Sequence, residues 1–138
     1  MTQEDKELLL KDLCARLPYG VKVKSVFINP DTKEHKPCGI EIFDATSLLM
    51  IRDGLGEFKP YLFPLSRLNN LTEEQRKTLK VMCDWNDEEA DAQSILVLYQ
   101  KHFVMKTDVI DWLNENHFDY RGLIEKGLAF DATGLNIY

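Results

Sequence analysis

A histidine, an aspartate and an arginine at alternate positions form the best polar cluster in this sequence of 138 residues. His117 beside Asp119 can act as a base with an orienting carboxylate, and Arg121 can bind an anion. No nucleophile accompanies them, and alternate spacing in a predicted corner between two helices does not determine the directions of the side chains. Helix capping and a surface ion pair explain the same residues. We therefore predict no catalytic residue, and the cluster remains the candidate site of an alternative function as an enzyme or small-ligand binder.

Metal chemistry is not indicated by the remaining histidines or by the acidic residues. The three histidines, His35, His102 and His117, are isolated from one another and lack the spacing of zinc ligands. The acidic run consists of Asp87, Glu88, Glu89 and Asp91. It lacks the spacing and the glycine of an EF-hand calcium-binding loop. The sequence predicts no metal and no cofactor.

Two stretches are candidate partner surfaces. One is the acidic run of Asp87, Glu88, Glu89 and Asp91, which can meet a basic patch on another protein or can be a solvated face. The other contains Tyr61 and Phe63 between two prolines, and is either a docking strip or a rigid connector. From these surfaces, and from the missing catalytic motifs, we predict a non-enzymatic protein-binding module whose partner is another protein.

The cysteines and the hydropathy point to a protein of the cytoplasm. Cys14, Cys38 and Cys83 are odd in number and widely spaced, which argues against a disulfide framework and against zinc. Cys38 follows a proline at a predicted strand end, so it is the cysteine to test for reactivity. The longest apolar runs span only a few residues, and the charged N-terminal residues do not resemble a secretory signal. We expect a cytoplasmic chain without membrane association.

The net charge of −6 is unevenly distributed. Residues 1–37 hold seven Lys/Arg and six Asp/Glu, whereas residues 70–138 hold seven and thirteen. The acidic half would repel phosphate backbones, so nucleic-acid binding is disfavoured. A weaker third hypothesis places such binding on four N-terminal lysines, Lys22, Lys24, Lys33 and Lys36.

The hydrophobic pattern predicts a single α+β domain over residues 1–138. An N-terminal helix spans 2–17, with Leu10, Leu13, Cys14 and Leu17 on its apolar face. Strands are predicted at 21–29, 38–43, 47–52 and 57–63, the last two joined by a hairpin at Asp53 and Gly54. We expect a small antiparallel sheet of three to four strands packed against the N-terminal helix and about three C-terminal helices.

The C-terminal half supplies these helices. Thr72 and Gln75 form a possible capping box, which predicts a helix start. Apolar spacing predicts further helices over 92–103 and from 109 towards His117. Asp119 can cap a last short helix that ends before Gly127.

Three stretches resemble a family of small proteins from gut bacteria of the Bacteroides group and their phages. They are residues 11–22 (KDLCARLPYGVK), residues 59–65 (KPYLFPL) followed by 72–74 (TEE), and residues 111–114 (DWLN) with 117–129 (HFDYRGLIEKGLA). The resemblance covers roughly a third of the chain and brings with it no activity and no catalytic residue. It implies a context: a bacterial cytoplasm, and an accessory protein expressed from a phage or prophage. Homo-oligomerisation is left open.

Overall fold

The computed structural model describes residues 1–83, 91, 93–94, 96 and 106–138. It has an α+β architecture, as the sequence predicts, in which helices flank a four-stranded sheet. The elements are α1 (Gln3–Arg16), β1 (Lys22–Ile28), β2 (His35–Ile42), α2 (Ala45–Arg52), β3 (Gly56–Leu62), α3 (Glu73–Met82), α4 (Thr107–Glu115) and β4 (Phe130–Asp131). Short helices of the tighter 3₁₀ type follow α1 at Leu17–Tyr19 and β3 at Leu65–Asn70.

Helix α1 begins as predicted but buries a different face. Thr2 and Asp5 form a capping box that satisfies free N–H groups at the helix start. Leu13 is buried, but Leu10 is 39% exposed and Cys14 is also exposed. The prediction that these two side chains are buried was wrong. The helix is rotated because Asp12 and Arg16 turn inwards to pair with groups of the C-terminal segment.

The sheet has the strand order β2-β1-β3-β4. Strand β1 pairs antiparallel with β2, to which a short loop joins it, and with β3, which follows β2 and α2 in the chain. The fourth strand, however, is supplied by the C-terminal segment and pairs parallel with β3 at Tyr61 and Leu62. The sheet is therefore mixed, which corrects the prediction of an antiparallel sheet drawn only from residues 21–63.

The apolar run at 47–52 is helical, not a strand. The Asp44 carboxylate accepts a hydrogen bond from the Ser47 backbone N–H, and the Asp44 backbone N–H donates to the Ser47 hydroxyl, so α2 starts with a capping box. Gly54, with φ of 71°, ends this helix in the left-handed conformation and does not form a hairpin turn. A run of four apolar residues fits a helix or a strand equally well, and the cap decided between them.

Strand β3 is confirmed at Gly56–Leu62, in spite of its proline. Ile28 N–H donates to Leu55 O at 2.8 Å, so alternate residues of β3, including Pro60, direct their backbone nitrogen away from β1. Strand β4 begins only opposite Tyr61. Pro60 therefore stands where no ladder hydrogen bond is required of it.

Two clusters of buried side chains make up the core. One lies between the sheet, α1, α2 and the C-terminal segment, and contains Leu13, Val21, Val23, Phe43, Phe58, Leu62, Leu123, Leu128 and Ala129. The other joins α3 and α4 and contains Leu68, Leu79, Cys83, Leu96, Val109, Leu113 and Phe118. The capping box at Thr72 and Gln75 starts α3 as predicted. The helix predicted at 92–103 lies almost wholly outside the described residues.

After α4 the predicted last helix is replaced by turns. Residues 120–127 form bends and turns, closed by hydrogen bonds from Gly127 N to Ile124 O and from Leu128 N to Leu123 O. The backbone of Phe63 holds the preceding corner through two bonds of 2.8 Å, to His117 O and from Asp119 N. Because this pairing holds the backbone against the end of β3, the segment that follows forms turns in place of a regular helix. Within the described residues, no helix has the length and apolar character needed to cross a membrane.

Candidate functional site

His117 lies at the corner after α4 and is held as a neutral side chain. Its backbone is left-handed, with φ of 63°, which is uncommon for a residue other than glycine. Its ring stacks on Tyr138 with centroids 3.7 Å apart, and its Nδ1 is buried without a hydrogen-bond partner in the described part of the chain. Burial, followed by the positive charges of Arg16 and Lys22, lowers the pKa of His117 to about 4.

Asp119 acts as a backbone cap. Its two carboxylate oxygens accept hydrogen bonds from Leu123 N–H and Ile124 N–H, each at 2.9 Å. The residue is only 7% exposed, and the two bonds hold the turn that follows. Its carboxylate is committed to the backbone and does not orient the imidazole of His117.

Arg121 belongs to a buried charge network that the sequence reasoning missed. Asp12, fully buried, accepts from Arg121 Nη1 at 2.9 Å with one oxygen and from Arg16 Nε at 2.8 Å with the other. Arg16 is also fully buried and donates through Nη2 to Phe118 O at 2.6 Å. The spacing of Asp12 and Arg16, four apart on one helix, was the available signal. The network fastens α1 to the corner after α4.

The three residues of the predicted cluster therefore lie close in sequence but serve separate contacts. His117 packs on Tyr138, Asp119 caps a turn, and Arg121 pairs with Asp12. Across the described ranges, no hydrogen bond or ion pair joins any two of the three, and no group of three or more His, Cys, Asp or Glu residues is placed to hold a metal ion. This arrangement stabilises the fold and offers no nucleophile and base in contact.

The predicted strip of Tyr61 and Phe63 is part of the packed interior. Tyr61 is 8% exposed and stacks on Phe130, with ring centroids 5.0 Å apart. Phe63 is half-buried between Phe118 and Tyr138. Tyr61 is therefore packed inside the protein and Phe63 is partly covered, which fits a rigid connector, and docking of a partner on this strip stays a prediction.

The acidic run is only partly described. Asp87, Glu88 and Glu89 lie outside the described residues. Asp91 is exposed, and a hydrogen bond from Ser94 N–H at 2.8 Å lowers the pKa of its carboxyl. The acidic surface therefore stays a prediction.

Strand β2 is an open edge of the sheet, and sequence reasoning did not identify it as a surface. All eight of its residues are exposed, and among the described residues it has β1 on one side and no strand on the other. Ile40 and Ile42 are 50% and 56% exposed, on the sheet face shared with their β1 partners Lys24 and Lys22. Large aliphatic side chains on an edge strand are unusual, since such edges recruit other strands.

The register shows which backbone groups of β2 are free to pair. Phe43 N–H donates to Val21 O at 2.9 Å, which makes residues 21 and 43 a hydrogen-bonded pair. Such pairs alternate along an antiparallel ladder, so Ile42 and Ile40 direct their N–H and C=O groups away from β1. The open edge is thus a segment with outward backbone donors and acceptors beside two exposed isoleucines.

The other half of β2 is protected. A register shift opposite Ser25 and Val26 disrupts the ladder beside Cys38, and Pro37 opposes Val26 at a position whose nitrogen points outwards. Cys38 is exposed, and its thiol lies 3.4 Å from Lys36 O. Bulges, lysine and proline are the usual means of blocking an edge, and here they stop at Gly39. We use the name open edge for Gly39–Ile42.

Comparisons with protein-family models, with curated proteins and with solved structures give no match to this chain.

Proposed function

We propose that this chain is a non-enzymatic protein-binding module that accepts an extended segment of another protein along the open edge, Gly39–Ile42. The observation that carries the proposal is the combination of outward backbone groups with exposed side chains at Ile40 and Ile42. In strand addition, main-chain hydrogen bonds supply affinity and alternate side-chain contacts supply specificity. A partner segment with apolar residues at alternate positions fits both features.

The protection of the neighbouring residues supports the same proposal. A strand that needs no partner gains from being blocked along its whole length. Here the bulge, the lysine and the proline all lie before Gly39. Positions 40 and 42 carry isoleucine, where an edge strand commonly carries a charged residue. The contacts of His117, Asp119 and Arg121 leave the alternative of an enzyme without a supporting observation.

Amide hydrogen exchange with and without a bound peptide tests the proposal. A peptide library is selected on the wild-type protein, and the peptides that bind are then tested on the double variant I40K/I42K. On binding, the outward N–H groups of Ile40 and Ile42 become protected from exchange. The N–H of Glu41 already faces β1 and changes little.

The matched control is L49K, which places a lysine at a leucine of α2 that is 49% exposed. Peptides should bind L49K as they bind wild type, and should lose at least tenfold in affinity for I40K/I42K. Protection that appears elsewhere in the chain, or equal affinity for all three proteins, would rule out strand addition at β2. Concentration-dependent exchange protection of Ile40 and Ile42 without peptide would identify a second copy as the occupant.

The resemblance and the charge support two finer proposals. The resemblance supports an accessory role in a bacterial, phage-associated and cytoplasmic context. The acidity of residues 70–138 supports a partner with a basic patch. Reversing the charges of Asp87, Glu88 and Glu89 tests the acidic surface separately: an unchanged partner affinity in that variant would leave the open edge as the binding surface.

A further inference from the structure

A groove lies between the N-terminal half of α1 and the end of β3. It consists of two adjoining cavities of about 400 Å³ and about 270 Å³, which share Leu9, Glu57 and Phe58 among their lining residues. The larger cavity has a largely apolar lining that includes Leu13 and Ile51, but Lys6, Glu7 and Glu57 line it as well. Its volume falls in the range of about 300–1,000 Å³ that is typical of small-molecule sites. Because Leu9, Glu57 and Phe58 border both cavities, a linear ligand can extend from the smaller cavity into the larger one.

The groove is open because the sheet is incomplete on this side. In the described part of the chain, β4 pairs with β3 only at Tyr61 and Leu62, so no described strand lies beside Gly56 to Lys59 on the side away from β1. Gly56 also leaves space at the bottom of the groove, because it has no side chain. A Cβ at this position would stand 2.9 Å from the ring of Phe58 and 3.3 Å from the terminal methyl of Met50.

Two lysines mark the smaller cavity. Lys24 and Lys59 are direct cross-strand partners in the register of β1 and β3. Both ammonium groups lie over the ring of Phe130, with Nζ 5.7 Å and 4.1 Å from its centroid. Within the described ranges, no carboxylate forms an ion pair with either lysine. Like charges directly opposite each other on a sheet repel, so an anion bound between the two lysines would relieve that repulsion.

We propose that this groove binds a linear acyl carboxylate, with its carboxylate between Lys24 and Lys59 and its alkyl chain along Leu9 towards Leu13 and Ile51. The aliphatic lining supplies the affinity for the chain, and the lysine pair supplies the choice of head group. Glu57 lines both cavities, and its charge is opposite to that of the two lysines. Glu57 repels a phosphate dianion more strongly than a carboxylate monoanion, so the site favours the carboxylate. Lys24 is the β1 partner of Ile40, so the site borders the open edge of β2, but it does not depend on the function proposed for that edge.

Calorimetric titration tests the head group, with decanoate and decyl phosphate below their critical micelle concentrations and decanol below its solubility limit. Decanoate should bind at one saturable site, at least tenfold more tightly than decanol, since charge-assisted hydrogen bonds contribute about tenfold or more. Decyl phosphate should bind more weakly than decanoate. The variant K24Q/K59Q should lower the affinity for decanoate to that for decanol, and should leave decanol binding unchanged. The control K11Q/K77Q removes two exposed lysines outside the groove and should behave as wild type.

Chain length tests the apolar part. From hexanoate to decanoate, each added methylene should raise the affinity by about fourfold. L10W, at a residue that is 39% exposed and lines the larger cavity, should weaken decanoate more than hexanoate because the indole occupies space needed by the chain. Equal affinity for decanoate and decanol, an unchanged affinity in K24Q/K59Q, or the absence of saturable binding would overturn the proposal.

Discussion

Replacing Asp12 by asparagine should remove a large part of the stability of this fold. The carboxylate of Asp12 is the shared partner of Arg16 at 2.8 Å and of Arg121 at 2.9 Å, and both Asp12 and Arg16 are fully buried. Asparagine preserves the shape and removes the charge, which leaves the guanidinium of Arg16 buried without a counter-ion. Breaking one side of a buried ion pair costs about 3–5 kcal/mol. That loss is a considerable fraction of the roughly 5–15 kcal/mol by which a domain is stable.

Most of this cost should come from Arg16. The side chain of Arg121 is 16% exposed and can recover hydration, whereas Arg16 keeps only its bond to Phe118 O and stacking near Tyr120. The double variant D12L/R16M removes both charges at similar volume. It should be more stable than D12N, because the fully buried charge of Arg16 is gone and only Arg121, which is 16% exposed, loses its partner. Phe118 O would still accept from Tyr120 N at 3.2 Å.

Urea unfolding measures these differences. D12N should lower the midpoint without changing the slope, corresponding to a loss of about 3–5 kcal/mol in the free energy of unfolding. The control D53N breaks the exposed pair of Arg52 and Asp53, which is also 2.9 Å long, and should cost less than about 1 kcal/mol. The reasoning fails if D12N costs no more than D53N, or if D12L/R16M is as unstable as D12N.

Three further predictions concern single residues. Because the pKa of His117 is about 4 in the folded chain and near 6.5 when unfolded, the folded state binds the proton more weakly; stability should be full above about pH 6.5 and should fall as the pH drops towards 4. H117N, which tolerates the left-handed backbone, should flatten that part of a pH series of unfolding midpoints. G56A should destabilise by about 1–3 kcal/mol in urea, because its Cβ meets Phe58 at 2.9 Å; an unchanged midpoint would show that the ring moves freely. Y138F should cost about 1 kcal/mol in thermal unfolding, since its hydroxyl bonds Lys22 N and Tyr61 O; no loss would mean that water replaces it.

The local signals in the sequence were reliable where a side chain acts on its own backbone. Thr2 and Thr72 begin helices α1 and α3 through caps that involve residues only three positions away. The capping box of Asp44 and Ser47 was not recognised in the sequence, and residues 47–52 were therefore predicted as a strand. Its four apolar residues carry no period that separates the two structures.

The candidate site, in contrast, depends on contacts between residues that are distant in the sequence. His117, Asp119 and Arg121 are prominent polar residues, but their roles depend on Tyr138, on backbone N–H groups and on Asp12, which is 109 positions from Arg121. No local pattern contains those distances. The same is true of Tyr61 and Phe63, whose burial depends on the C-terminal segment crossing the end of the sheet.

By itself, the sequence determined the fold class, the helix starts with side-chain caps, and the strands with alternating residues, because these depend on interactions between near neighbours. The tertiary structure decided which strand is left at the edge, which face of α1 is buried, and where two lysines meet beside an apolar groove. Each of these features depends on strand order and register, which bring distant residues together. Ile40 and Ile42 are ordinary strand residues in the sequence, and only their place on the edge strand of the described sheet leaves both of them exposed.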